Sequence, residues 1–151
     1  MDTVRVWMSA PPVVARDTMT LPQARQLLAE LNIHRLPVVD SQDELVGIVT
    51  EGDINRIADS ATGDSVAYNG YIVKDLPVRE FMRRPVLTVT PETRLSGAAQ
   101  LMIAHHIHGV PVVIGKRVIG VVTVSDLLRW MVDSEGDADT VPMSVKTAHR
   151  D

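Results

Sequence analysis

The chain has 151 residues, 45% of them apolar and 23% charged, with a formal net charge of -4, which suits one sizeable core or two small units sharing one. It has no cysteine, so disulfides and thiol chemistry are excluded, and an acidic balance without a basic stripe argues against nucleic-acid binding. No run of about 18 apolar residues is present to span a bilayer, and no basic region leads an apolar run at the N-terminus, so the chain reads as cytoplasmic.

In chain order, residues 4–8 form a short helical turn ending before Pro11, and a brief strand follows near 13–15. Thr20 then caps a helix. Pro22 sits in its first turn, Gln23 completes a capping box, and Ala24, Leu27, Leu28 and Leu31 fall on one apolar stripe. Residues 36–39 and 45–50 are dense in β-branched side chains, and the SQDE turn between them suits an antiparallel hairpin. A closing helix carries Ile54, Ile57, Ala58 and Ala61 on one face. The stretch ATGDSVAYNGYIVKDLP, 61–77, is polar, holds an Asn-Gly turn signal and reads as a linker.

The same order then returns. A turn spans 78–82, a strand lies near 86–89, and a helix follows with Ala98, Leu101, Met102 and His105 on its stripe. Strands 110–114 and 118–123 are joined by Gly115-Lys116, with glycine supplying positive φ. Leu127, Trp130 and Met131 line the last helix. The tail, 134–151, is polar and aperiodic, and partial disorder is expected there.

A shift of 74 positions aligns Met8 with Met82, Pro11 with Pro85, Leu21 with Leu95, Ala24 with Ala98, and Ile33-His34 with Ile107-His108. Pro37-Val38-Val39 falls on Pro111-Val112-Val113. One residue fewer in the second turn then sets Gly47, Val49, Thr50 and Asp53 against Gly120, Val122, Thr123 and Asp126. Matches through a whole unit in one register mean duplication. The expected fold is α+β: two β-α-β-β-α units, 1–60 and 78–133, packed as a pseudo-two-fold pair through their sheets.

Each unit places a threonine three residues before an aspartate where a strand gives way to a helix: Thr50 and Asp53, Thr123 and Asp126. One reading is a capping box alone. The other is a ligand site. Free N–H groups at a helix start suit phosphate, a hydroxyl adds a hydrogen bond, and a carboxylate accepts from a ribose diol. His34 and Arg35 stand just before a buried strand, and a guanidinium pairs bidentately with phosphate. Their presence favours the anion site.

These segments resemble a pair of cystathionine β-synthase (CBS) domains. In the first copy the resemblance rests on Met8-x-x-Pro11, on His34 through Asp40, and on Gly47-Ile48-Val49-Thr50-x-x-Asp53. In the second it rests on Met82-x-x-Pro85, on His108 through Val113, and on Gly120-Val121-Val122-Thr123-x-x-Asp126. The resemblance implies two clefts that bind adenine nucleotides, AMP, ADP or ATP, or S-adenosylmethionine, with no required cofactor. Each aspartate would hold ribose and each threonine would sit near phosphate. Val13, Val14, Leu87 and Thr88 would meet adenine, Pro37 and Pro111 fall within the binding segments, and His34, Arg35 and His108 would approach phosphate. Arg35, at the position where the second copy has Gly109, should make the clefts unequal, one strong and one weak. The resulting expectation is a regulatory module that senses its ligand and signals to an unknown effector, as a homodimer.

Other readings compete. For an enzyme there is no Gly-x-Ser-x-Gly elbow and no Walker loop. For a metal module, His105, His106 and His108 cluster without cysteine or a second His-x-His. A ligand-free dimerisation scaffold would keep both Thr-Asp pairs as caps, using the apolar helices at 4–8 and 54–57 as its surface.

Overall fold

The computed structural model describes residues 2–60 and 66–135. The first repeat runs α1 (Val4–Trp7), β1 (Ala15–Arg16), α2 (Leu21–Leu31), β2 (Arg35–Val39), β3 (Leu45–Thr50) and α3 (Glu51–Asp59). A hairpin of β4 (Val66–Tyr68) and β5 (Tyr71–Ile72) follows. The second repeat has α4 (Leu95–His105), β6 (Gly109–Ile114), β7 (Arg117–Thr123) and α5 (Val124–Glu135). The architecture is α+β, with sheet orders β1-β2-β3, β4-β5 and β6-β7.

Local chemistry sets the boundaries. The Gln23 N–H donates to Thr20 Oγ1 at 3.4 Å, and the Thr20 N–H donates to Gln23 Oε1 at 3.0 Å, so α2 opens on the expected capping box. Helices α2 and α4 both end on left-handed residues at equivalent positions, Asn32 (φ 53°) and His106 (φ 55°). The tight turn between β6 and β7 uses Gly115 at φ 63°, and Asn69-Gly70 turns the β4–β5 hairpin at φ 47° and 85°.

Two expectations are corrected and a third is sharpened. No strand forms over 86–89: Val89 makes one parallel bridge to Val112, and the chain then turns as the Thr90 N–H donates to Thr93 Oγ1. The short helical turn expected at 78–82 is present as a 3-10 turn, Val78–Glu80. The stretch 61–77 is more than a linker, because Leu76 is fully buried in the core of the first repeat and its carbonyl accepts from the Leu21 N–H. Helix α5 runs through Ser134 to Glu135; the remaining tail, 136–151, and Ala61 lie outside the described residues.

The two cores trade their leading turns. Val78, Phe81 and Met82 pack with Leu21, Leu36, Val49 and Ile54 of the first repeat. Val4, Trp7 and Met8 pack with Leu95, Val110, Val112 and Val122 of the second. Reciprocal backbone bridges lock the exchange. Ser9 and Val121 exchange N–H to O bonds of 2.9 and 3.1 Å, and Arg83 and Ile48 do the same at 2.9 and 3.1 Å. The repeated Met and Gly now have a shared reason. Met82 lies on Gly47 and Met8 on Gly120, where any Cβ would collide with them. Val4, Ile54 and Ile57 belong to these cores, so they do not form the open apolar face expected of a scaffold. The apolar side chains that α5 leaves exposed are Leu128, Met131 and Val132.

A Cβ at Gly120 would lie 2.6 Å from Met8 Sδ and 2.9 Å from the Ser9 carbonyl oxygen, which is fixed in the bridge. Gly120→Ala is therefore expected to destabilise the fold by about 1–3 kcal/mol. Gly97→Ala, in α4 with Thr93 Cγ2 at 3.4 Å, is expected to stabilise it by about 0.5–1 kcal/mol. Urea denaturation of the two variants checks the pair.

Candidate functional site

The exchange creates two clefts, each built from both repeats. In the first, of about 550 Å³, the start of α3 (Thr50, Glu51, Gly52) faces the second repeat's lead-in (Arg83, Pro85, Val86, Leu87) and the segment from His105 to Gly109. In the second, of about 560 Å³, the start of α5 (Thr123, Val124, Ser125) faces Ser9, Pro11, Pro12 and Val13 and the segment from Asn32 to Arg35. One backbone bond shapes both. The Glu51 N–H donates to the His34 carbonyl and the Val124 N–H to the His108 carbonyl, each at 2.9 Å. Each helix start is thus tied to a histidine loop.

His34, Arg35 and His108 line both clefts, Thr50 and Pro111 line the first, and Thr123 lines the second. Val13 and Leu87 form apolar wall in their respective clefts. Val14 and Thr88, the residues that follow these walls, do not line a cleft: there the chain turns in toward the buried Ala15 and Val89. Pro37 is buried within β2 and lines neither. His105 and His106 line the first cleft alone. Among the described residues no group of three His, Cys, Asp or Glu side chains is placed to hold a metal ion, and no helix is long and apolar enough to cross a membrane.

Arg35 does not serve one cleft. Its guanidinium lies over Gly109, where a Cβ would come within 2.8 Å of Nη1. The Arg35/Gly109 difference therefore puts one cation between the clefts, lining both, instead of arming one of them. Burial lowers the Arg35 pKa from its usual value, yet a guanidinium stays charged. Among the described residues no carboxylate forms an ion pair with it.

The aspartates sit in the first turns of α3 and α5, 3% exposed at Asp53 and 1% at Asp126, and unlike Thr50 and Thr123 neither lines a cleft, because protein donors cover their carboxylates. Their caps differ. The Asp53 N–H donates to Thr50 Oγ1 at 3.2 Å, while the Asp53 carboxylate turns to arginines. It accepts from Arg83 Nε (2.9 Å to Oδ2) and Nη2 (2.7 Å to Oδ1), and from Arg56 Nη2 (2.9 Å). Asp126 Oδ2 accepts from the Thr123 N–H at 2.8 Å, and Oδ1 accepts from Arg129. Capping thus explains part of each aspartate, and arginine pairing the rest.

The arginines escaped the sequence reading. Arg56 and Arg129 follow their aspartates by three residues and are equivalent in the repeat, so the alignment itself held that signal. Arg83 aligns with Ser9, and nothing in the repeat marked it.

The CBS domain family pattern matches residues 4–59 and again 78–133. The chain belongs to the CBS domain family. Its two clefts therefore lie in a CBS pair. The CBS pair of protein MJ0100, solved with methylthioadenosine and S-adenosyl-L-methionine, is 30% identical, with a TM-score of 0.74 over 87% of this chain and 97% of that one. CBSX2 in complex with AMP is 25% identical, with a TM-score of 0.76 over 88% of this chain and 98% of that one. An A-adding tRNA nucleotidyltransferase of Geobacter sulfurreducens is 32% identical over 124 residues, 82% of this chain. The chain spans 13% of that enzyme's length and less than a third of two other curated relatives, but 89% of the CBS domain-containing protein YhcV of Bacillus subtilis, to which it is 28% identical.

Burial pushes the Asp53 carboxyl up, but hydrogen bonds from Arg83, Arg56 and Thr50 outweigh it and hold the pKa at about 2, against an ordinary 3.8. The unfolded chain binds the proton first, so this stabilisation is complete above about pH 4 and is lost as pH falls through about 2. Asp53→Asn is expected to flatten that acid limb, read by thermal melts across the interval.

Proposed function

We propose that this CBS pair binds adenosyl ligands in its clefts and reports them to a partner protein. The single observation that carries the reading is the position of Arg35: a half-buried cation with no carboxylate partner among the described residues, set between two clefts that each contain a threonine at a helix start. Such a group is matched to phosphate. Support also comes from the AMP, methylthioadenosine and S-adenosyl-L-methionine bound in the two similar structures. In this reading Pro11, Val13, Val86 and Leu87 give adenine its apolar wall, and a ligand's effect lies in the relative set of the repeats, since each cleft spans both. Only a ligand that binds two arrangements unequally can shift them. A cytoplasmic homodimer with no catalytic step completes the proposal.

A second reading has its own observation. Both buried carboxylates already hold protein donors, as a ligand-free assembly module would require. Thermal melts with AMP, ADP, ATP and S-adenosylmethionine separate the two. A ligand at about 100 times its Kd adds about 2.7 kcal/mol to stability, a clear rise in Tm. Arg35→Ala is expected to weaken a phosphate-bearing ligand about tenfold or more in both clefts, measured by calorimetry. No shift with any ligand, together with an intact oligomer by light scattering, would leave the assembly reading alone.

A further inference from the structure

We infer that Arg83 makes the first cleft selective for adenosyl ligands that carry phosphate, whereas the second cleft also accepts those without it. This inference rests on the adenosyl reading above.

Positions 83 and 9 are equivalent in the repeat, and their backbones make the same pair of bridges, to Ile48 and to Val121. Only the side chains differ. In the first cleft the Arg83 guanidinium covers both oxygens of Asp53. A ribose diol approaching that buried carboxylate must displace it. In the second cleft Ser9 cannot reach across, and Asp126 is held within its own repeat by Thr123 at the end of β7 and Arg129 of α5, so no side chain of the opposite repeat has to leave it.

The displacement is feasible. The Arg83 side chain is 64% exposed, so it can swing on the solvent side of the cleft. Arg56 stays on Oδ1, so Asp53 never becomes a lone buried charge. What Arg83 loses it must regain, and a phosphate lying along the cleft supplies a second anion for the fork of donors. An uncharged adenosyl ligand supplies none and leaves the exchange unfavourable. The surroundings point the same way. His105 and His106 line the first cleft only, where their equivalents are Leu31 and Asn32, and the cleft's acidic side chain, Glu51, is bonded to His34 Nδ1 at 3.0 Å.

Calorimetry with ATP and with adenosine, on the full chain, tests this. The wild type is expected to bind ATP in both clefts and adenosine in one. Arg83→Ser is expected to add a second adenosine site and to weaken ATP in the first cleft about tenfold. Ser9→Arg is expected to weaken adenosine in the second cleft about tenfold. Arg83→Lys, which keeps the charge, is expected to retain the ATP preference, so loss of folding in the serine variant would not decide the matter. Adenosine stoichiometry and the ATP-to-adenosine ratio unchanged in both Arg83→Ser and Ser9→Arg would overturn the inference while leaving adenosyl binding intact. No binding of ATP or adenosine by the wild type would overturn both.

Discussion

The structure depends on one constraint: neither repeat can close its core without the leading turn of the other. Val4 and Met8 leave the first repeat to fill the second, and Val78 and Met82 do the reverse. A single unit of this size buries too little surface to stand comfortably alone. The exchange answers that shortage and fixes the pseudo-two-fold arrangement. It also decides where ligands could go. Each lead-in crosses the helix start of the opposite repeat, so both clefts are seams between repeats.

Two buried carboxylates sit at those seams, and the fold resolves their charge economically. Each is met by guanidinium groups whose heads stay toward water while their bonds reach inward. Among the described residues no buried side-chain polar atom lacks a partner. Removing one donor alone would strand a charge, but Asp53 has two arginines and can part with one.

Much of this was legible in the sequence, because it is local or periodic. The Thr20-Gln23 cap, the Gly115 turn and the Asn69-Gly70 turn are decided within a few residues. The duplication itself revealed the paired Thr-Asp starts and the histidine loops. What stayed hidden is contact between distant positions. Nothing in the spacing of Val4 and Met8 says that they pack into the other repeat, and as a short apolar turn they read equally well as open surface. Met8 with Gly120, and Met82 with Gly47, are visible as repeated residues and become intelligible only as contacts. Arg83 looks like any surface arginine until its backbone is seen paired with Ile48. The expected strand at 86–89 failed because β propensity says nothing about how soon the Thr90–Thr93 turn ends the pairing.

The fit of Arg35 over Gly109 carries a lesson about why the two copies share one polypeptide. In an association of identical single repeats, every substitution would appear on both sides of the axis at once. Arginine there would meet arginine, and glycine would meet glycine. Fusion frees the partners to diverge, so that one contributes the side chain and the other contributes the room for it.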